Sequence, residues 1–231
     1  MAIFVSLPIF VILAIPLVFI VVSGEIDLSF PAVAGLTAWV FASALKAGLP
    51  GPLAFLCAAV VGALCGMFNA FLVNKVKLSA MVSTLGMNFL LRGLINIGAQ
   101  GHGIELTDYV EGPFGRAMVG SLDFIGGLPM QMVWAVAFTI VGWFLFNRHR
   151  LGAHIQCVGD NKDSSREMGI DVARTKTYAF IFMGIACAVA GCWSDLINWT
   201  FYPTTGDGYL LYVIAAVFVG GTPSWGGTGT S

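Results

Sequence analysis

Long apolar intervals separated by short polar ones run along this chain, and the pattern predicts helices that cross a membrane. A straight crossing needs about 20 apolar residues. Six intervals approach or reach this length: residues 3–22, 30–45, 53–73, 78–97, 129–146 and 177–197. A seventh, residues 209–221, is apolar for only 13 residues, so it is either re-entrant or broken by the glycine-rich stretch that follows. The pattern predicts an all-α, polytopic transmembrane bundle of six to seven membrane segments, forming one domain over residues 1–231.

The composition agrees with this fold class. Hydrophobic residues make up 58% of the chain and charged residues 10%, whereas a soluble domain has about 25% charged residues. The net charge of −1 gives no basic field for nucleic acid. The five cysteines show no metal-ligand spacing and are interpreted as small buried residues, and all three histidines lie outside the predicted spans. We expect no metal and no catalytic residue in this chain.

Small residues recur along the third predicted span. The row consists of Ala58, Gly62, Gly66 and Ala70, four residues apart. Such a row lies on one helix face and lets another helix approach closely. The approaching helix could belong to this chain or to another subunit.

A few polar residues interrupt the apolar spans. They are Asn88, Arg92 and Asn96 in the fourth span and Asp195 near the far end of the sixth. An arginine costs about 2.5–3.5 kcal/mol at the middle of a spanning helix, so Arg92 should face protein or water. It could contact substrate, act as a gate or, the interpretation we favour, hold the carbonyls of a neighbouring helix. Asp195 could line a pathway or sit at the outer interface.

Residues 148–176 form the one long polar interval with a clear local architecture. Asp160 is placed to cap a short helix, Asp163 adds negative charge to its first turn and Arg166 lies near its end. Gly169 supplies a left-handed stop, followed by the apolar Ile170. A polar helix this short needs a surface to lie against, which another protein would supply. The alternative is an ordinary ordered loop.

The charge distribution predicts the orientation. Six of the 11 Lys and Arg residues lie in residues 148–176, which places that interval in the cytoplasm. Alternation then puts Lys75 and Lys77 inside as well. The loop of residues 97–127, with Glu105, Asp108, Glu111 and Asp123, falls outside. The same count puts Met1 outside, so we expect a preceding helix and interpret the chain as an internal fragment of a longer protein.

Four stretches with distinctive motifs follow one another along the chain: Gly-Glu-Ile-Asp-Leu-Ser at 24–29, Thr-Leu-Gly at 84–86 with Leu-Arg-Gly at 91–93, residues 159–191, and the glycine-rich block 206–229. In this order they resemble the permease subunits of bacterial ABC importers, in the ribose and simple-sugar branch that is related to branched-chain amino acid permeases. Glu25 replaces a usual glycine, Phe30-Pro31 a usual Val-Gly, and Ser164-Ser165 a common pair of alanines. Members usually have a further N-terminal helix and further C-terminal helices.

The resemblance implies one of two permease subunits, identical or homologous, in the bacterial inner (plasma) membrane. Its expected partners are cytoplasmic ATPases that carry the ATP and Mg²⁺, a periplasmic sugar-binding protein, a simple sugar and membrane lipid. The chain itself would be no enzyme and would bind no cofactor. ATP-driven closure would push a coupling helix and move the sixth span through residues 174–177. The residues implied in coupling are Asp160, Asn161, Lys162, Asp163, Arg166, Glu167, Met168, Gly169 and Ile170.

Three alternatives belong to other classes. An ion-coupled secondary transporter would need carboxylates within the membrane and broken helices around a midplane site. The predicted spans hold no central carboxylate and show no clear internal repeat. A membrane-embedded enzyme would need a catalytic group within a span, and a non-transporting scaffold would need none. The sequence leaves the identity of the sugar open.

Overall fold

A computed structural model describes residues 2–122, 127–223 and 226–227, with side chains from residue 5 onward. The predictions that fall on Met1, Asp123, residues 124–126, 224–225 and 228–231 lie outside these described residues. Within them the chain forms eleven helices: α1 (Ala2–Val22), α2 (Phe30–Lys46), α3 (Gly51–Asn74), α4 (Ala80–Ala99), α5 (Thr107–Val110), α6 (Pro113–Val119), α7 (Met130–Asn147), α8 (Arg150–Asp160), α9 (Lys162–Glu167), α10 (Val172–Asn198) and α11 (Tyr209–Val219).

Four two-residue strands accompany the helices: β1 (Ile104–Glu105), β2 (Ser121–Leu122), β3 (Leu128–Pro129) and β4 (Thr200–Phe201). β1 pairs with β4 and β2 with β3, both antiparallel. The first pair ties the α4–α5 connection to the segment after α10.

The predicted polytopic helical fold is confirmed. Within the described ranges, α1, α3, α4, α7 and α10 are long and apolar enough to cross a membrane, while α2 and α11 are shorter apolar helices. The observed ends lie within a few residues of the predicted ones, except that α10 begins at Val172 rather than at residue 177.

The bundle has two chemically distinct ends. At the basic end, the turn after α3 lies beside the start of α10, where the Asn74 Nδ2 donates to the Ala173 carbonyl over 3.0 Å. Lys77, Lys162 and Lys176 line one cavity there. At the opposite, acidic end, β1 carries Glu105 against β4. The two basic intervals therefore share one end, as the predicted topology requires.

Helix α10 is the centre of the bundle, and α3 packs along it through small residues. Ala58, Gly62, Gly66 and Ala70 are all buried. A Cβ on Gly62 would lie 2.2 Å from the Gly184 carbonyl oxygen, and one on Gly66 would lie 2.1 Å from the Phe180 oxygen. The row thus provides a close antiparallel contact within this chain, between α3 and α10, where the sequence left the partner open.

Candidate functional site

The first part of the candidate site is the membrane crossing that contains α2, and the half of this crossing nearer the basic end is not helical. α1 ends at the basic end, but α2 begins only near the middle of α10, where the Cys187 thiol donates to the Phe30 carbonyl over 3.3 Å. Residues 24–29 connect these two levels without forming helix or strand. At their start, Glu25 contacts Lys176 in the second turn of α10. Half of this crossing is therefore extended chain that must find its hydrogen bonds elsewhere.

Buried polar side chains hold the beginning of α2. Asp27 and Ser29 are 2% and 0% exposed. The Asp27 carboxylate accepts from the Ser29 N–H and from the Ser29 hydroxyl, both at 2.7 Å. The Asn69 amide donates to the Ser29 Oγ over 2.7 Å. The Asp27 carboxylate thus lies at the N-terminus of α2, the positive end of its helix dipole, inside the bundle. The sequence analysis included Asp27 and Ser29 in the motif at 24–29 without giving them a role, although these polar residues precede an unusually short span; it did not single out Asn69, which lies on α3.

Helix α4 supports the extended segment with side chains spaced four residues apart, which lie on one face. The Thr84 hydroxyl accepts from the Leu28 N–H over 2.9 Å. One turn later the Asn88 Nδ2 donates to the Leu28 carbonyl over 2.7 Å. Another turn on is Arg92. The polar residues of α4 therefore replace the backbone partners that a continuous helix would have supplied.

The membrane crossing that contains α11 is also interrupted, in the half nearer the acidic end. After β4, residues 202–208 turn back into the bundle and reach Arg92, whose Nη1 donates to the Thr205 and Pro203 carbonyls over 2.8 and 3.4 Å. Its Nη2 donates to the Pro31 carbonyl over 3.4 Å and pairs with Asp207 at 2.9 Å. From here α11 runs to the basic end. The Arg92 guanidinium thus donates to three backbone carbonyls, which is the contact that the hypothesis of a structural pin requires.

The two interrupted crossings meet at the same level. Gly206 has a φ of +89°, and a Cβ there would lie 2.2 Å from the Pro31 carbonyl oxygen, so a glycine is required. Pro31 lies in the first turn of α2, and α11 begins shortly after Gly206. The N-terminal ends of two shortened helices, α2 with 17 residues and α11 with 11, therefore converge near Arg92. Non-helical backbone at this depth is a feature of transport sites.

Two of the four polar span residues have other surroundings. Asn96 is exposed on α4. Asp195 is 0% exposed, and its two carboxylate oxygens have no hydrogen-bond partner among the described residues. Asp195 is therefore enclosed by protein near the outer end of α10.

The structure also corrects one argument made from the sequence. The secondary transporter was disfavoured because no central carboxylate and no broken-helix repeat were recognised. Asp27 is a buried carboxylate at the level where α2 begins, and two crossings are interrupted. Both features were missed because the polar residues 24–29 were interpreted only as an interruption between spans. The choice between transporter classes must therefore come from other evidence.

At the basic end, residues 148–176 form two helices and the start of α10 rather than a loop. The helix α9 is capped by Asn161, whose side chain accepts from the Asp163 and Ser164 N–H groups, both at 3.0 Å. Asp160, predicted to be the cap, is instead the last residue of α8. The end agrees with the prediction: Gly169 has a φ of +80°, and the Ile170 N–H donates to the Ser165 carbonyl over 3.0 Å.

The helix α9 presents most of its surface to the outside. Ser165 is its only buried residue, and Met168, at its C-terminal cap, is 63% exposed. Lys162 reaches the Glu25 carboxylate over 3.3 Å, and Glu25 also binds Lys176 of α10. One carboxylate thus links α9, α10 and the extended residues 24–29.

Comparison with known proteins identifies the family. Residues 1–230 match the family described as "Branched-chain amino acid transport system / permease component". The autoinducer 2 import system permease protein LsrD of Yersinia pseudotuberculosis serotype O:3 (strain YPIII) is 32% identical over 225 residues, covering 95% of this chain and 66% of the relative. LsrD of Escherichia coli (strain K12) matches with the same identity and coverage.

The chain thus spans 66% of the length of these curated relatives. No solved structure matches it. The helices of the described residues, together with the family match, make it a multi-pass protein of the bacterial inner membrane. The chain belongs to the branched-chain amino acid transport system permease family, which the four ordered motifs had indicated.

Proposed function

We propose that this chain is the membrane-spanning part of a permease subunit in an ATP-driven ABC importer for a simple sugar or a sugar-like solute. The single observation that carries the coupling role is α9, a capped, outward-facing helix at the basic end. Family membership and relatives named as import permeases support the same reading. Hydrolysis of ATP, and the Mg²⁺ it needs, would belong to separate ATPase subunits.

The geometry provides two routes by which movement of α9 would reach the bundle. Through the chain, Gly169 to Asp171 connect α9 to α10, and the Asp171 carboxylate caps α10 by accepting from the Arg174 N–H over 3.0 Å. Through space, Lys162 and Lys176 share the Glu25 carboxylate. A displacement of α9 would therefore act on α10 and on residues 24–29 together.

The positions of the remaining partners follow from the exposed polar residues on one face of the bundle and at its acidic end. A second permease subunit, identical or homologous, would lie opposite α4 and α11, because polar Asn96 and Asp207 are exposed there and must face protein or water rather than lipid. A periplasmic binding protein would dock at the acidic end, where Glu105, Asp108 and Glu111 are exposed. Charge reversal at those carboxylates should weaken docking.

Co-purification of the full-length protein from native membranes tests the coupling role. A Met168→Asp variant changes an exposed apolar side chain on α9, so we expect an ATPase to accompany the wild-type protein and to be lost from the variant. Val76→Asp is the matched control, since Val76 is 48% exposed in the α3–α4 turn at the same end. It should retain the ATPase. Absence of any ATPase from the wild-type preparation would overturn the importer proposal.

A second candidate is an ion-coupled transporter, which the two interrupted crossings and the buried Asp27 favour. The two candidates separate in whole cells. An importer loses uptake when ATP is depleted while the proton gradient is kept, whereas an ion-coupled carrier continues.

A further inference from the structure

The most unusual surface feature is a carboxylate exposed beside an apolar band. The Asp207 side chain is 61% exposed, whereas its partner Arg92 is 17% exposed. The two helices that meet at the ion pair expose large apolar residues close to it in sequence: Phe89, three residues before Arg92 on α4, is 69% exposed, and Leu211 and Tyr212, in the first turn of α11, are 74% and 63% exposed. Asp207 is therefore not part of a polar rim.

The position of Asp207 along the bundle follows from its partner. Arg92 lies about 10 Å from the end of α4 at Ala99 and about 18 Å from its beginning at Ala80, taking about 1.5 Å per residue. The salt bridge of 2.9 Å holds Asp207 at this level. An ionised group exposed to lipid so far from either end is costly, and such groups face a bundle interior or a water-filled cavity.

Arg92 and Asp207 differ in which of their groups reach the exposed surface of the bundle. The Nη atoms of Arg92 donate to three backbone carbonyls and to Asp207, so they point into the protein. Within the described part of the chain, Arg92 is the one partner of the Asp207 carboxylate, and most of that carboxylate is exposed. The surface therefore presents hydrogen-bond acceptors and a negative charge, with the positive charge behind it.

We propose that Asp207, held by Arg92, is a solute-contact site on a water-filled path through the membrane. A carboxylate accepts hydrogen bonds from hydroxyl groups and repels anions. The site would therefore take neutral polyhydroxylated solutes and disfavour phosphorylated or carboxylated ones. This inference rests on the proposed importer function, since it names the class of solute that the same permease would pass.

Cysteine labelling of the full-length protein in native membranes tests the site directly. Leu211→Cys places a thiol in the first turn of α11, four residues beyond Asp207 in sequence, in a background where Cys57 and Cys157 are replaced by serine. The probes are three water-soluble methanethiosulfonates carrying a neutral hydroxyethyl, a cationic trimethylammonioethyl or an anionic sulfonatoethyl group. We expect all three to react, with the neutral and cationic reagents faster than the anionic one. Val136→Cys, at an apolar position 55% exposed on α7, is the lipid-facing control and should not react.

The charge preference should depend on Asp207. Asp207→Asn leaves Arg92 uncompensated, so the ratio of cationic to anionic rates should fall by about tenfold, the effect expected of one nearby charge in a partly hydrated site. Asp207→Glu keeps the charge and should keep the ratio, which separates loss of charge from misfolding. Leu211→Cys reacting no faster than Val136→Cys, or a ratio unchanged by Asp207→Asn, would overturn the proposal. Labelling that follows Asp207 in a protein without an ATPase would instead overturn only the importer function.

Discussion

The contact between α3 and α10 should not tolerate one added methyl group. In Gly62→Ala the new Cβ would lie 2.2 Å from the Gly184 carbonyl oxygen, whereas ordinary contacts are 3.4–4 Å. The opposing atom is backbone, so no side-chain rotation relieves the clash. The two helices would have to separate by more than about 1 Å, which would also loosen the neighbouring contact of Gly66 with Phe180.

The expected change in the free energy of unfolding of Gly62→Ala follows from two opposing effects. Overpacking of a well-packed core costs about 1–3 kcal/mol, and here it acts on two rigid backbones, which favours the upper part of that range. Replacing a helical glycine by alanine returns at most about 1 kcal/mol of helix propensity. We expect Gly62→Ala to lower the free energy of unfolding by about 1–2 kcal/mol. Gly93→Ala on α4 is the matched control, because nothing lies within 4 Å of its Cβ position.

Reversible unfolding in mixed detergent micelles, followed by tryptophan fluorescence, measures the difference. Gly62→Ala should unfold at lower denaturant than wild type, and Gly93→Ala should not. Combining Gly62→Ala with Gly184→Ala should cost less than the sum of the two, since both changes separate the same helices. Equal stability of the Gly62→Ala and Gly93→Ala variants would refute the close backbone contact.

Three further changes test the polar contacts. Arg92→Ala removes the donors for three backbone carbonyls and should cost about 2–4 kcal/mol in the same unfolding assay, with Arg92→Lys recovering only part; no loss would refute its role as a pin. Glu25→Ala leaves the buried Lys176 ammonium without its carboxylate and should cost about 3 kcal/mol, most of which an added Lys176→Met should restore. Asn161→Ala removes the cap of α9 and should cost that helix about 1 kcal/mol, seen as faster amide hydrogen exchange in its first turn. Asp160→Ala should leave that exchange unchanged, and the opposite result would support the cap predicted from the sequence.

The helical fold could be predicted because its signal is local. An apolar interval of the right length is sufficient to indicate a spanning helix. The start of α10 was missed because Arg174 and Lys176 are charged, and charge near a helix end indicates water. Lys176 is instead 6% exposed because Glu25, far away in sequence, binds it. No local pattern contains that information.

The arrangement around Arg92 was beyond sequence reasoning for the same reason. A polar residue in a span indicates that some partner exists, and this holds for Arg92 and Asn88 but not for Asp195, whose carboxylate has no hydrogen-bond partner among the described residues. The identity of the partner cannot be predicted from the neighbouring sequence, because Asn88 binds Leu28 and Arg92 binds the carbonyl of Thr205. A misassigned cap at Asp160 has a different cause, because Asn161 is an equally good capping residue directly beside it.

The extended residues 24–29 have a consequence for the order in which the protein assembles. Their hydrogen bonds come from Thr84 and Asn88 on α4 and from Asn69 on α3. These helices are synthesised after α1 and α2, so the first two helices enter the membrane before their partners exist. Until α4 arrives, the peptide groups of the extended segment must stay hydrated at the membrane surface. We therefore expect residues 24–29 to reach their buried position only after α4 has been synthesised, whereas α1 and α2 themselves enter the membrane earlier.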